Sequence, residues 1–428
     1  MVDVVAHPVA SSLVDERTFA SLIDTLGPWL AECGVAVAER DAPSARGALV
    51  VLVLSGGTER QILDRWRAAG GPDAPIVLLA HPGQNSLPAA LEALARVQRD
   101  GGRGRIVGVG GTADRAAVRD AVDDAVIWAA LAGSRLGVLG TPSDWLVASI
   151  PDGDGVRRRW GIELVPLDLE PALASFEASP AEASTTAVAV RLGARRVVGP
   201  SDDDVATASR FTPVLDDVVA THVLDAVTVR CFDLVVRSET SGCLALSDLN
   251  DRGIVAGCEG DVASAVAMMW ARAVTGGAGW MANPSAIDPG SGVLELAHCT
   301  VPRSMVASYE LQSHFESGLG VGLAGELPPG PVTVVRLGGD ELESLWCADG
   351  EALPTEPRAG RCRTQLDVRV PPAAAAELLD RPLGNHLVVV YGHHAERLRR
   401  WWATYIERAA LPVPGAQLAA STSSGTST

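Results

Sequence analysis

Basic residues are in short supply in this chain: 35 Lys and Arg face 52 Asp and Glu, a net charge of −17. That balance argues against nucleic acid as a partner, because phosphate binding needs a positive surface. Aromatic residues make up only 4% of the sequence, although ten of them are Trp. Cysteines are few, odd in number and never spaced Cys-x-x-Cys; the seven lie at 33, 231, 243, 258, 299, 347 and 362. In a long chain that fits reduced thiols in a cytoplasmic protein better than a disulfide framework. The opening MVDVVAHPVASS lacks the basic start and apolar core of a signal peptide. The stretch 125–140 comes closest to a membrane span but carries Arg135, so no membrane association is expected. There is no GxxxxGK[ST] phosphate loop, no GxSxG nucleophile elbow and no repeat of fixed period.

What is present is apolar and ordered. The chain has 428 residues, 47% of them hydrophobic, enough for two or three domains with large cores. Apolar runs at 48–54, 75–80 and 105–109 read as buried parallel strands, alternating with helices at 15–33, 58–69, 86–98 and 113–132. This predicts a first doubly wound α/β domain over 1–133. A second begins near Ser134, with strands at 135–140 and 161–167, helices at 171–179 and 202–222, and further strands and a helix up to residue 300. From about Val301 short alternating strands at 332–337, 343–348, 365–370 and 387–390 predict an antiparallel, barrel-like β domain over 301–411, closed by a helix at 395–409. The Pro-, Ala-, Ser- and Thr-rich tail 412–428 reads as disordered.

The segment 226–299 carries the chemistry. A β-branched run, 226–231, stops at Phe232-Asp233, and an apolar run, 254–256, stops at Cys258-Glu259-Gly260-Asp261 before an amphipathic helix at 261–274. Two successive strands thus end on acids. Strand carboxyl ends line the ligand crevice of an open α/β sheet. Two carboxylates side by side are costly unless a cation neutralises them. Asp233 and Glu259 therefore predict a divalent metal site or an acid/base pair; the plain alternative is two loop acids. Asp261 is well placed as the N-cap of the helix that follows.

The eight histidines are informative because they are few. His298 ends a strand, and His386 follows Gly384-Asn385 at the head of an apolar run. From the β domain His386 would meet an ion held by the two carboxylates, and two carboxylates with one histidine suit an Mn²⁺-like ion. Gly108-Val109-Gly110-Gly111-Thr112-Ala113 fits the dinucleotide fingerprint loosely, at the wrong strand of its domain; the alternative is a tight strand-to-helix turn.

Taken together, Gly257-Cys258-Glu259-Gly260-Asp261 with Ala265 and Met268, Leu296-Ala297-His298-Cys299, Pro331-Val332-Thr333, Arg336-Leu337 and Gly384-Asn385-His386 resemble the L-fucose/L-arabinose isomerase-like family. So do 135–140 and 141–145, where that family begins its second domain. The resemblance covers most of 134–410; residues 1–133 match in architecture only.

The resemblance implies two α/β domains followed by a β domain, and a metal-dependent aldose–ketose isomerase, an intramolecular oxidoreductase acting on a small carbohydrate. It implies a divalent metal, usually Mn²⁺, held by Asp233, Glu259 and His386, with Asp233 and Glu259 sharing proton transfer. Asp261, His298 and Arg363 become candidates for substrate or supporting contacts. It also implies a homo-oligomer, trimer or hexamer, whose pocket a neighbouring subunit's first domain closes. One departure stands out: the family carries Glu after Cys-x-Pro at the first position, whereas this chain has Cys231-Phe232-Asp233, one methylene shorter. Two other readings stay open. One is a related enolising enzyme acting on a non-sugar polyol; the other is a sugar-binding or regulatory protein without activity.

Overall fold

The computed structural model describes residues 4–44, 46–179 and 185–407. They form parallel-sheet α/β units and a closed six-strand antiparallel barrel. By contact density the chain divides into two units, Met1–Ala132 with Arg400–Thr428, and Gly133–Arg399. The expected tail 412–428 lies outside the described residues.

The first unit is a five-stranded parallel sheet. Its strands run in the order Val35–Val37, Val4–Val9, Leu49–Val53, Ile76–Ala80, Gly104–Gly108. Leu49–Val53 and Ile76–Ala80 are buried along their whole length, as their unbroken apolar runs require for a sheet covered on both faces. Two strands, Val4–Val9 and Val35–Val37, escape sequence reading because Pro8 and their short length hide them. The Gly108 to Ala113 stretch is a tight turn. Gly110 and Gly111 have φ of 83° and 57°. The Asp114 carboxylate caps the next helix by accepting from the Ala116 N–H, which puts negative charge where a pyrophosphate would sit. The chain returns to this unit at its end. Arg400 pairs with Asp120 at 2.9 Å and with the buried Asp124 at 3.2 Å, and the Trp401 indole donates to the Asp124 carbonyl.

The second unit holds a four-stranded parallel sheet in the order Val255–Cys258, Ala226–Val229, Arg135–Leu139, Glu163–Leu167. The order reverses between Arg135–Leu139 and Ala226–Val229, a switch point of the kind beside which open α/β sheets bind ligands at strand carboxyl ends. The expected strand 226–231 is shorter than its β-branched run. It ends at Val229, and Cys231–Ser238 is helical with Asp233 in the first turn. The expected helix 202–222 is two helices, Asp202–Ser209 and Phe211–Thr221, the second carrying Pro213.

The barrel runs Trp280–Asp288, Val293–His298, Thr364–Arg369, Ser344–Leu353, Gly330–Gly338, Leu387–Tyr391 and back to the first. Its first two strands therefore come from before residue 301. Alternate side chains fill it: Leu294 and Leu296, Val332 and Val334, Leu366 and Val368, Leu387 and Val389 share one core with Trp280. A helix, Pro372–Asp380, interrupts the strands where none was expected. No helix among the described residues is long and apolar enough to cross a membrane.

Candidate active site and metal centre

The site lies within the second unit and is built on the turn after Val255–Cys258. Glu259 has φ of 64° and Gly260 φ of 69°, two left-handed residues in a row. For Glu259 that is a strained backbone, of the kind that persists only when its surroundings impose it. The surroundings are explicit. The Ser143 N–H donates to the Glu259 carbonyl at 2.9 Å, and the Gly260 N–H to the Val229 carbonyl at 2.9 Å. A Cβ on Gly260 would lie 2.8 Å from the Pro142 Cα, so only glycine lets the 141–145 loop lie on this turn. Asp261 then caps Val262–Thr275, accepting from the Ser264 N–H at 2.8 Å, as expected from the sequence.

Three side chains converge on this turn. Glu259, His298 and His386 are all buried and offer one ligand atom each, with these atoms within 4.8 Å of one another. Glu259 Oε1 lies 3.4 Å from His386 Nε2 and 3.9 Å from His298 Nε2. The other oxygen, Oε2, accepts from the Trp145 indole N–H at 2.6 Å. His386 is fixed from behind: its Nδ1 donates to Asp261 Oδ2 at 2.8 Å, which leaves Nε2 buried and facing Glu259 Oε1 across a longer contact. His298 differs. Its Nδ1 accepts from the Thr300 N–H at 3.3 Å, so the free side chain carries its proton on Nε2, toward Glu259.

Behind Asp261 lies Arg336, 1% exposed. Its Nη1 is 3.4 Å from Asp261 Oδ2 and 2.9 Å from Ser264 Oγ, Nη2 donates to Ser149 Oγ at 2.6 Å, and Nε donates to the Leu383 carbonyl at 3.2 Å. The glycine of Gly384-Asn385-His386 is required here, because a Cβ would meet the Arg336 guanidinium at 2.0 Å.

These contacts set the charges. Burial pushes the Asp261 carboxyl up, but the His386 hydrogen bond and the Arg336 charge outweigh it and hold the group well below the usual carboxylate range. Burial also opposes the net shift of Glu259, which His386, His298 and Trp145 hold down. For His386 burial alone lowers the pKa; the hydrogen bond to Asp261, the longer contact with Glu259 and the charges of both reverse this and raise it to about 9. His298 is lowered to about 4, by burial first and then by the charge of His386. The ion-free site therefore holds two carboxylates, a charged His386 and a neutral His298.

The donor set suits a divalent transition-metal ion. It combines one carboxylate oxygen with two imidazole nitrogens, and His386 has the carboxylate–histidine arrangement that orients a ligand and raises its basicity. That fit rests on the buried Nε2 of His386, which is turned toward Glu259 Oε1 and makes no close hydrogen bond. Ligation by His298 requires its proton to shift to Nδ1, at the expense of the Thr300 contact.

Of the residues singled out from the sequence, Glu259, Asp261, His298 and His386 come together. Asp233 is elsewhere, with its side chain 46% exposed and paired with Arg230 at 3.0 Å. Its neighbour Phe232 faces the site wall instead, with ring centroids 4.9 Å from Trp145 and 5.4 Å from His314. Arg363 is tied to Ser313 by a 2.6 Å bond to the carbonyl and lines a cavity of about 640 Å³ with Arg195, Arg196, Glu310, Phe315 and Arg358. Ser149 and Ser264 have no signal in the sequence that assigns them to the site; Arg336 and the 141–145 loop enter only through the family resemblance, the loop near Trp145 as one that would shape the pocket.

No family model matches the chain. It is 23% identical over 273 residues to the sulfoquinovose isomerase of Alkalicoccus urumqiensis, covering 62% of this chain and 62% of that protein. It is 24% identical over 277 residues to the sulfoquinovose isomerases of Priestia aryabhattai and Priestia megaterium, covering 62% of this chain and 61% of each. The chain thus matches about three fifths of the length of these curated relatives. The likeness is to sugar isomerases, at low identity.

Proposed function

We propose that this protein is a metal-dependent aldose–ketose isomerase acting on a small sugar. The observation that carries the reading is the convergence of the buried Glu259, His298 and His386 at the carboxyl end of Val255–Cys258, with His386 Nε2 turned toward Glu259. The likeness to sulfoquinovose isomerases supports the same class. The sequence contains no lysine, so no lysine amine of this chain can condense with a sugar carbonyl. Proton transfer through an enediol is the chemistry its residues offer.

Isomerisation moves one proton from C2 to C1 and another between the two oxygens. A divalent ion at the site would polarise the sugar's carbonyl and hydroxyl oxygens. Glu259 is ionised, so it can accept the carbon-bound proton and return it to the neighbouring carbon. Asp261 holds His386 in one tautomer and orientation. In this reading His298 supplies either the third ligand or an N–H to a sugar oxygen. Asp233 is proposed as the second proton carrier of the resemblance, which requires Arg230 to release it. A Mn²⁺ cofactor, a homo-oligomeric assembly and a cytoplasmic location belong to the same reading.

The test is elemental analysis of the purified protein before and after chelation, followed by a ketose assay with L-fucose, L-arabinose and sulfoquinovose. About one divalent ion per chain and ketose formation that chelation abolishes is the expected result. Sugar binding with no turnover of any of them would instead favour the non-catalytic reading.

A further inference from the structure

Trp145 is the outlier among the tryptophans. Trp66, Trp128, Trp160, Trp270, Trp280 and Trp401 are all 2% exposed or less, whereas Trp145 is 51% exposed. Yet its indole N–H makes a short, charge-assisted bond to a buried carboxylate, 2.6 Å to Glu259 Oε2. A residue so open contributes little to core packing, so the bond calls for another reason.

The geometry supplies one. Glu259 has two oxygens, and only Oε1 faces the two histidines. The loop carrying Trp145 is fastened to the Glu259 turn at three points. These are the Ser143 N–H on the Glu259 carbonyl, the Thr141-Pro142 backbone against Gly260, and the indole on Oε2. The ring itself is held edge-on to Phe232 at an interplanar angle of 85°. We propose that Trp145 is a positioning residue. By occupying Oε2 it fixes the Glu259 rotamer and dedicates Oε1 to the space between His298 and His386. The inference deepens the isomerase reading and rests on it for its functional consequence, but the tie between the two side chains stands without that reading.

The experiment uses the full chain as wild type, Trp145→Phe and Glu259→Gln. In a proton–nitrogen spectrum the Trp145 indole resonance is identified by its absence from Trp145→Phe. It is expected to lie downfield in the wild type and to move in Glu259→Gln while the other indole resonances stay. An indole resonance indifferent to Glu259→Gln overturns the proposal. In the same proteins, Mn²⁺ affinity of Trp145→Phe is expected to fall about 10- to 100-fold, the range for loss of a group that orients a metal ligand. The sugar KM should stay within about twofold of wild type while kcat falls. Unchanged Mn²⁺ affinity and kcat would also overturn it. If the wild type takes up no Mn²⁺ and converts no sugar, the isomerase reading fails, and the indole resonance still decides the tie.

Discussion

His386 is held at Nδ1 by Asp261, 2.8 Å away, and this aims its Nε2 at Glu259 Oε1, 3.4 Å away. If that aim serves a metal, His386→Ala should lose bound Mn²⁺ outright. Asp261→Asn should weaken binding about 10- to 100-fold, because the partner that orients the ring loses its charge. Circular dichroism should show both folded. Full metal content in His386→Ala would remove this histidine from the ligand set.

Metal uptake should depend on pH. An ion at Nε2 must displace the proton that His386 carries below about pH 9. Mn²⁺ affinity should therefore rise, by about tenfold per pH unit in the simplest single-proton case, and level off near that value. Titration calorimetry between pH 6.5 and 9.5 in two buffers of different ionisation heat would read both the slope and the proton released. A flat profile would place the proton elsewhere.

Stability of the chelated protein should peak near pH 6.5. His386 has a folded pKa of about 9, above its reference 6.5. Its contribution is complete below 6.5 and lost as pH rises through 9. His298 is lowered to about 4, so between pH 6.5 and 4 the unfolded chain takes up a proton that the folded one refuses. Asp261, held below its reference 3.8, adds stability above 3.8 that vanishes as pH falls through its folded value. Denaturant midpoints across pH 4 to 9.5 test the bell shape.

Arg336→Met should be among the more destabilising single changes at this site. It leaves the buried Asp261 without its cation, and breaking a buried pair costs about 3–5 kcal/mol. Gly384→Ala should destabilise by the same route, because its methyl group occupies the place of the guanidinium. Loss of less than about 1 kcal/mol in both, read by urea unfolding, would mean the pocket relaxes around them.

Asp233 separates two readings. Its ion pair with Arg230 and its exposure predict that Asp233→Asn keeps its metal. Loss of metal would return Asp233 to the ligand set implied by the family resemblance. Retained metal with kcat reduced at least tenfold would support a role in proton transfer instead.

Much of the architecture was legible from the chain. Continuous apolar runs such as Leu49–Val53 read as buried strands, and alternating runs such as Thr364–Arg369 mark the barrel. Asp261 was legible as a cap because capping is local. Asp233 lies outside the Glu259–His298–His386 group for a physical reason: β-branched residues up to Arg230 look like strand, yet the helix begins at Cys231, which turns the carboxylate toward Arg230. Trp280–Asp288 was missed because Pro284 and a bulge beside it break its alternation.

By itself the sequence determined many of the strands and helices, that Glu259 follows a strand, and that a glycine precedes Asn385-His386. These are consequences of local periodicity, capping and backbone freedom. Only the tertiary structure decided that His298 and His386, 88 residues apart in the sequence, flank one carboxylate oxygen, and that Trp145 holds Glu259 while Arg336 holds Asp261. Closure of the barrel sets which strand ends meet, and no short-range pattern encodes that closure. A side chain's partner across a barrel depends on register and shear, which are properties of the whole sheet.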